Sequence, residues 1–207
     1  MSYFKQSRAN LFVTNALIAI NVMIIASGGF MTPLWSNFVL KIGGDLQTAG
    51  IAVSIFSVVI GVFMCIAGWI EHRYQNDEWF MCFSQLIVFG SYTAYLFVQH
   101  PWQLYLVQVG LGIGGAFQTP VICAIYQRYF SQKESTLFWA IWNGFFNIAL
   151  GAGALVSSLL VAHFNYQIMF KSLSALAGIC LLANIALMMH IRKVGLLEIL
   201  SLRAPRS

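Results

Sequence analysis

Amide side chains set inside long apolar runs are the residues of this sequence with the most chemistry to offer. Asn21, Gln108 and Gln118 each stand well inside a charge-free stretch, and Thr119, Asn143 and Asn147 accompany them. An amide brings donors and acceptors to a depth where water is excluded, and leaving one against hydrocarbon is costly. Their spacing is helical. Asn10, Thr14, Asn21 and Gly28 recur at intervals of four, seven and seven, which is one face of a helix. Gln108, Gly112, Gly115 and Thr119 share a second face, with Gln118 beside it and Pro120 following. Asn143, Asn147, Gly151, Ala154 and Ser158 mark a third face, and Ser54, Ser57, Gly61 and Gly68 a fourth.

Two uses compete for such faces. Amides and small residues glue helix to helix in membranes, or they line a watery path for a solute that needs donors and acceptors. The small-residue faces holding Ser57, Gly61, Gly151 and Ser158 fit packing. Asn21, Gln108 and Gln118 fit a cavity, with Thr119, Asn143 and Asn147 as further lining candidates. No acid, lysine or arginine stands in the middle third of any apolar run, and His72, His100, His163 and His190 stand at the ends. A proton-coupled carrier uses a titratable stop at mid-membrane, so the expected solute path is neutral.

Other chemistries fail on the same residues. Intramembrane proteolysis needs a nucleophile paired with a histidine at similar depth, and every histidine here is peripheral. A phosphatase or transferase needs clustered charge at one membrane face, and the loops are too short to build a pocket. A water channel of the aquaporin kind needs a duplicated Asn-Pro pattern, which is absent. Cys65, Cys82, Cys123 and Cys180 are isolated, with no metal-ligand spacing. No catalytic residue, metal or cofactor is expected. Glu71, His72, Arg73, Asp77 and Glu78 form one dense charged loop, read as a solvated connection or an electrostatic latch.

The elements that must position these groups follow from composition. Of 207 residues, 59% are hydrophobic and only 8% charged, against roughly 25% charged in an ordinary soluble domain; mean hydropathy is +0.78. Soluble enzyme, secreted disulfide scaffold and nucleic-acid binder are excluded. The expected fold is an all-α membrane protein, a single six-helix transmembrane domain over 1–207. Its spans lie near 10–33, 47–70, 79–99, 102–126, 137–162 and 168–191, with a basic tail at 192–207. The longest connection runs from Leu34 to Leu46. Barrel strands would alternate over about ten residues, and these runs are continuous. Trp35, Trp69, Trp79, Trp102, Trp139 and Trp142 all fall near span ends, where indole N–H groups reach headgroups.

Orientation follows from the basic residues. With the N-terminus inside, Lys5, Arg8, Arg73, Arg128, Lys133, Arg192, Lys193, Arg203 and Arg206 are cytoplasmic, and only Lys41 and Lys171 lie outside. That asymmetry sets both termini in the cytoplasm. The first span is too long for a signal peptide and is read as retained. A bacterial inner (plasma) membrane is the expected site, although span count alone does not separate it from an organelle. An initiating Met and the basic tail fit a complete chain.

Several segments, in order, resemble the major facilitator superfamily of transporters. They are Pro33-Leu34-Trp35, Ile42-Gly43-Gly44-Asp45, Ala49-Gly50-Ile51 and Ala67-Gly68-Trp69-Ile70-Glu71-His72-Arg73. Gly68 and Arg73 fit the family's Gly-x-x-x-Asp-Arg loop between spans two and three, with His72 in the Asp position and Glu71 one step early. Gly110-Leu111-Gly112-Ile113-Gly114-Gly115-Ala116 with Pro120 is similar to its glycine-rich fourth span. Asn143 to Ala152 resembles the fifth span of drug and sugar efflux members, with Ala152 in place of a proline. The resemblance implies a cytoplasmic latch made by Glu71 and Arg73. It also implies a central cavity lined by the first and fourth spans, at Asn21, Gln108, Gln118 and Thr119, with alternating access by rocking.

That family has twelve spans in two parallel six-helix halves, and this sequence corresponds to one half. A second copy, inserted in the same sense, can supply the other. The expected protein is a half-size transporter of a small neutral or amphipathic solute, working as a parallel homodimer in the lipid bilayer. Ser57, Gly61, Gly151 and Ser158 are expected at the dimer interface. A non-transporting scaffold, or the partner subunit of another half-transporter, is the alternative of a different class.

Overall fold

The computed structural model describes residues 16, 19–20, 22–74, 77–129 and 135–203, with side chains described except at 71–72, 74–78, 121–138 and 191–203. The described residues are almost entirely helical. A helical segment over 22–29 leads through a turn at 30–34 into a short helix, α1 (Trp35–Lys41). There follow α2 (Leu46–Tyr74), α3 (Asp77–Ala94) with a 3-10 turn at Tyr95–Phe97, α4 (Pro101–Tyr129), α5 (Ser135–His163) and α6 (Tyr166–Arg203). Among the described residues, four helices are long and apolar enough to cross a membrane: the stretches Leu46–Ile70, Trp79–Phe97, Trp139–His163 and Tyr166–His190. α4 is as long as α2, at 29 residues.

Local chemistry sets the helix ends. Asp45 precedes α2 and its Oδ1 accepts from the Thr48 backbone N–H at 2.7 Å and the Thr48 hydroxyl at 2.8 Å, an N-cap. Gly43, at φ 78, supplies the left-handed residue that lets α1 end and the chain reverse toward that cap. Gln103 Oε1 accepts from the N–H groups of Gln99 and His100, at 2.6 and 3.1 Å, ahead of a proline at the first position of α4. Asn165 Oδ1 accepts from the Ile168 N–H at 2.9 Å to start α6.

The Asp45 cap has a pH signature. The Thr48 N–H, and then its hydroxyl, hold the Asp45 carboxyl below the ordinary carboxylate range. A depressed carboxyl stabilises the fold above its unfolded value, and that contribution fades as pH falls through the folded one. Asp45→Asn therefore flattens the acid limb of thermal unfolding between about pH 5 and about pH 2. Parallel acid limbs in the two proteins would show that the cap is not coupled to folding.

Glycine determines how closely the long helices approach. α4 lies between α2 and α3, and a Cβ at Gly112 would sit 2.8 Å from Val59 Cγ1 and 3.1 Å from the Phe56 carbonyl oxygen. On its other side, one at Gly114 would sit 2.6 Å from Val88 Cγ2, and one at Gly110 would collide with the Ser91 hydroxyl. The helical segment 22–29 meets α5 backbone to backbone: Gly29 faces the Leu150 carbonyl and Gly153 faces that of Ala26. Small residues permit this proximity, which gains dispersion contacts in a solvent where hydrophobic burial contributes nothing between helices. The fourth-span glycines expected beside a cavity thus serve mainly as contact surfaces.

The connection from Leu34 to Leu46 is not a plain loop. Leu34, Phe38, Val39 and Ile42 recur at helical spacing and are all buried, so α1 lies on one end of the bundle with this face inward. Phe38 meets Tyr95 edge-on at 6.0 Å and Phe170 edge-on at 5.0 Å, while Tyr95 and Phe170 stack at 5.0 Å. Such aromatic pairs contribute about 0.5–1.5 kcal/mol each beyond area burial. Lys41 lies 4.6 Å over the Tyr166 ring and ties the same helix to α6.

Candidate functional site

The inner face of α3 and its 3-10 turn carries Gln85, Val88, Tyr92 and Tyr95, at steps of three, four and three. Tyr95 is fixed by its stack on Phe170, which leaves its hydroxyl to meet α4. There Gln108, itself 5% exposed, donates from Nε2 to the Tyr95 hydroxyl at 2.9 Å. Glycines at 110 and 114, which face α3, bring α4 close enough for that bond. Around this pair a cavity of about 240 Å³ opens inside the bundle. α3 and α4 wall it with Val88, Tyr92, Tyr95, Gln108, Gly115 and Gln118. Ser27, Gly28 and Met31 close a second side, and Trp35 and Phe56 reach in from α1 and α2.

The chemistry of this lining is neutral and hydrogen-bonding. Amides come from Gln108 and Gln118, phenols from Tyr92 and Tyr95, and an indole N–H from Trp35. Ser27 spends its hydroxyl donor on the Met23 carbonyl of its own helix at 3.0 Å. Among the described residues, no carboxylate, ammonium, guanidinium or imidazole lines the cavity. Its volume lies below the roughly 300–1,000 Å³ of pockets for drug-sized ligands. The arrangement suits a small uncharged molecule.

Of the expected cavity residues, Gln108 and Gln118 come together here. Thr119 is exposed and off the lining, its hydroxyl 3.4 Å from the Gly115 carbonyl. Asn143 and Asn147 are exposed on α5, away from the cavity, and their Nδ2 atoms donate to the carbonyls of Trp139 and Asn143 at 2.8 and 2.7 Å. Asn21 and the Glu71 side chain lie outside the described residues. Arg73 is exposed, its guanidinium 5.9 Å from the Trp69 ring. Ser57, Gly61 and Gly151 are exposed, with open space where a Cβ would stand at either glycine. Ser158 is half-buried and bonds the Ala154 carbonyl at 2.9 Å. No group of three potential metal ligands occurs among the described residues.

Sequence reasoning missed Tyr92, Tyr95 and Trp35. The first two repeat Gln85 at plus seven and plus ten, a pattern hidden by the aromatic richness of the chain. Trp35 had been expected to turn its N–H toward headgroups. Its Nε1 is instead buried with no acceptor, because the α1 fold tucks the ring inward.

A family profile described as Major Facilitator Superfamily matches residues 13–198. No curated protein matches the chain. The profile spans nearly the whole sequence and agrees with helices apolar enough to cross a bilayer, so the chain is an integral membrane protein of the transporter class and belongs to the major facilitator superfamily.

Proposed function

We propose that this protein moves a small uncharged solute across a membrane by alternating access, as one six-span half working with a second, parallel copy. The cavity that joins Gln108, Gln118, Tyr92 and Tyr95 is the observation that carries this reading. A solute with hydroxyl or amide groups fits its donors and acceptors, and a neutral lining favours facilitated diffusion over proton coupling. In this reading the first helical segment and α4 complete six spans with the four apolar helices. Both termini face the cytoplasm of a bacterial inner membrane, and the protein performs no covalent chemistry on its cargo. Glu71 and Arg73 hold the cytoplasmic loop.

The second copy is supported by uncovered polar and small residues on α2 and α5, where Ser57, Gly61, Asn143, Asn147 and Gly151 are all exposed. Exposed amides at membrane depth call for a partner surface. A parallel twofold contact is closed, so assembly ends at two.

Solute uptake into liposomes, with and without a pH gradient, tests the reading. Equilibrating uptake indifferent to the gradient is expected, and gradient-driven accumulation would refute the uniport. Cysteines placed at Gly61 and Gly151 in a background free of native cysteine cross-link between copies if the dimer is right. A protein that stays monomeric in bilayers overturns it, and absent uptake leaves the scaffold reading.

A further inference from the structure

Two amides outside the cavity lining have no adequate partner. Gln85 on α3 and Asn184 on α6 are each 1% exposed. Gln85 Oε1 accepts nothing, and neither Asn184 Oδ1 nor Asn184 Nδ2 has a hydrogen bond. Gln85 Nε2 makes only a long bond, 3.4 Å, to the Ala177 carbonyl. Unpaired polar atoms at such depth are rare in native structures, and each calls for a ligand or a role.

Cross-helix contacts place the two amides together. Thr93 meets Ser174, hydroxyl to hydroxyl, at 2.7 Å, the Phe89 ring packs on Gly178, and Cys82 Sγ lies 3.8 Å from Met188 Sδ. Numbers rise on one helix as they fall on the other, so α3 and α6 are antiparallel. Gln85 lies between Cys82 and Phe89, and Asn184 between Gly178 and Met188, at one depth. Asn184 also shares the buried face of Ala177, Cys180 and Leu187. Gln85 in turn continues the α3 face that lines the cavity, one turn beyond Val88.

We infer that Gln85 and Asn184 form the inner end of the solute site, recognising a small uncharged molecule that both donates and accepts hydrogen bonds, of the polyol or urea kind. This rests on the transport reading above. A cation is a poor occupant, because the orphaned atoms include an amide N–H donor and no carboxylate stands beside them among the described residues to offset its charge. An apolar molecule would leave all three atoms unpaired. A hydroxyl-bearing solute satisfies acceptor and donor together, and so does water, which shares that chemistry.

The test uses the full chain in liposomes, with glycerol, erythritol and urea as probes, read by stopped-flow uptake and by the rise in melting temperature each probe gives. Gln85→Leu and Asn184→Leu are each expected to melt higher than the parent without probe, because the orphaned atoms are gone. Each should lose roughly tenfold in uptake of at least one probe, and its protection by that probe. Lower melting with unchanged uptake makes the amides structural glue and overturns the inference. Lower osmotic water permeation with probe uptake intact assigns them to buried water and also overturns it. Where a leucine variant fails to fold, the alanine variant is scored by the same readouts. Uptake abolished by Gln108→Leu but untouched at Gln85 and Asn184 sinks this site and spares the transport reading. A parent protein that moves no probe sinks both.

Discussion

Gly153→Leu yields no folded protein, and Gly29→Leu behaves the same way. Both glycines hold the backbone of another helix where a Cβ would stand, Gly153 against Ala26 and Gly29 against Leu150. Neither contact can give, because the obstructing atoms are main chain in regular helix. The two helices must separate by the width of a side chain, and both reciprocal contacts are lost together. Overpacking a core costs about 1–3 kcal/mol where side chains can adjust, and more where they cannot. Gly151 is the internal control. It lies two residues from Gly153 on the same helix but faces open space, so Gly151→Leu folds and melts within about 0.5 kcal/mol of the parent. Its expected defect is in pairing with a second copy. Fluorescence-detected size exclusion and thermal unfolding check all three, and well-folded Gly153→Leu protein would contradict the backbone contact.

The second large effect is at Gln108. Gln108→Leu removes the donor to the Tyr95 hydroxyl, which stays buried among aromatic rings. Leaving that hydroxyl unsatisfied costs about 1–3 kcal/mol, and the cavity loses an amide, so uptake falls at least about tenfold. Adding Tyr95→Phe removes the stranded hydroxyl as well, and two matched apolar groups are close to neutral. The double variant should therefore recover most of the melting temperature and none of the transport. Recovery of both would reduce Gln108 to a packing residue. Recovery of neither would show that the Tyr95 hydroxyl has a further partner.

Much of the architecture was readable in the sequence because span ends advertise themselves. Asp45 with Thr48, Gln103 behind Pro101, and Asn165 before Tyr166 are polar residues placed where helices need capping, and the apolar runs stop beside them. Gln108 and Gln118 were legible for a similar reason: long amides at helical spacing stand out from leucine and glycine. α1 escaped notice because seven residues between Gly28-Gly29…Pro33 and Gly43-Gly44 read as a connection. Its signal was Leu34, Phe38, Val39 and Ile42 at steps of four, one and three. Gln85 and Asn184 were harder. Each is the lone amide in the middle of its run, and its significance comes from lying opposite the other, which depends on how α3 meets α6. Asn143 and Asn147 show the converse limit. Their spacing suggested a lined cavity, but each amide instead bonds the carbonyl one turn back along its own helix.

The glycines of α4 bear on which changes in chain length this fold accepts. Gly110 and Gly114 serve α3, while Gly112 and Gly115 serve α2. One inserted residue ahead of them rotates everything downstream by about 100° relative to what precedes it. Both neighbours would then meet side chains where they now meet bare backbone, and Gln108 could not keep its place beside Tyr95 together with that arrangement. A deletion does the same in the opposite sense. Viable insertions and deletions should therefore fall in the turns at 98–100 and 164–165, where added chain changes no helical phase. A library of single-residue insertions, sorted for membrane-folded protein, should leave α4 nearly empty from Leu104 to Gly115.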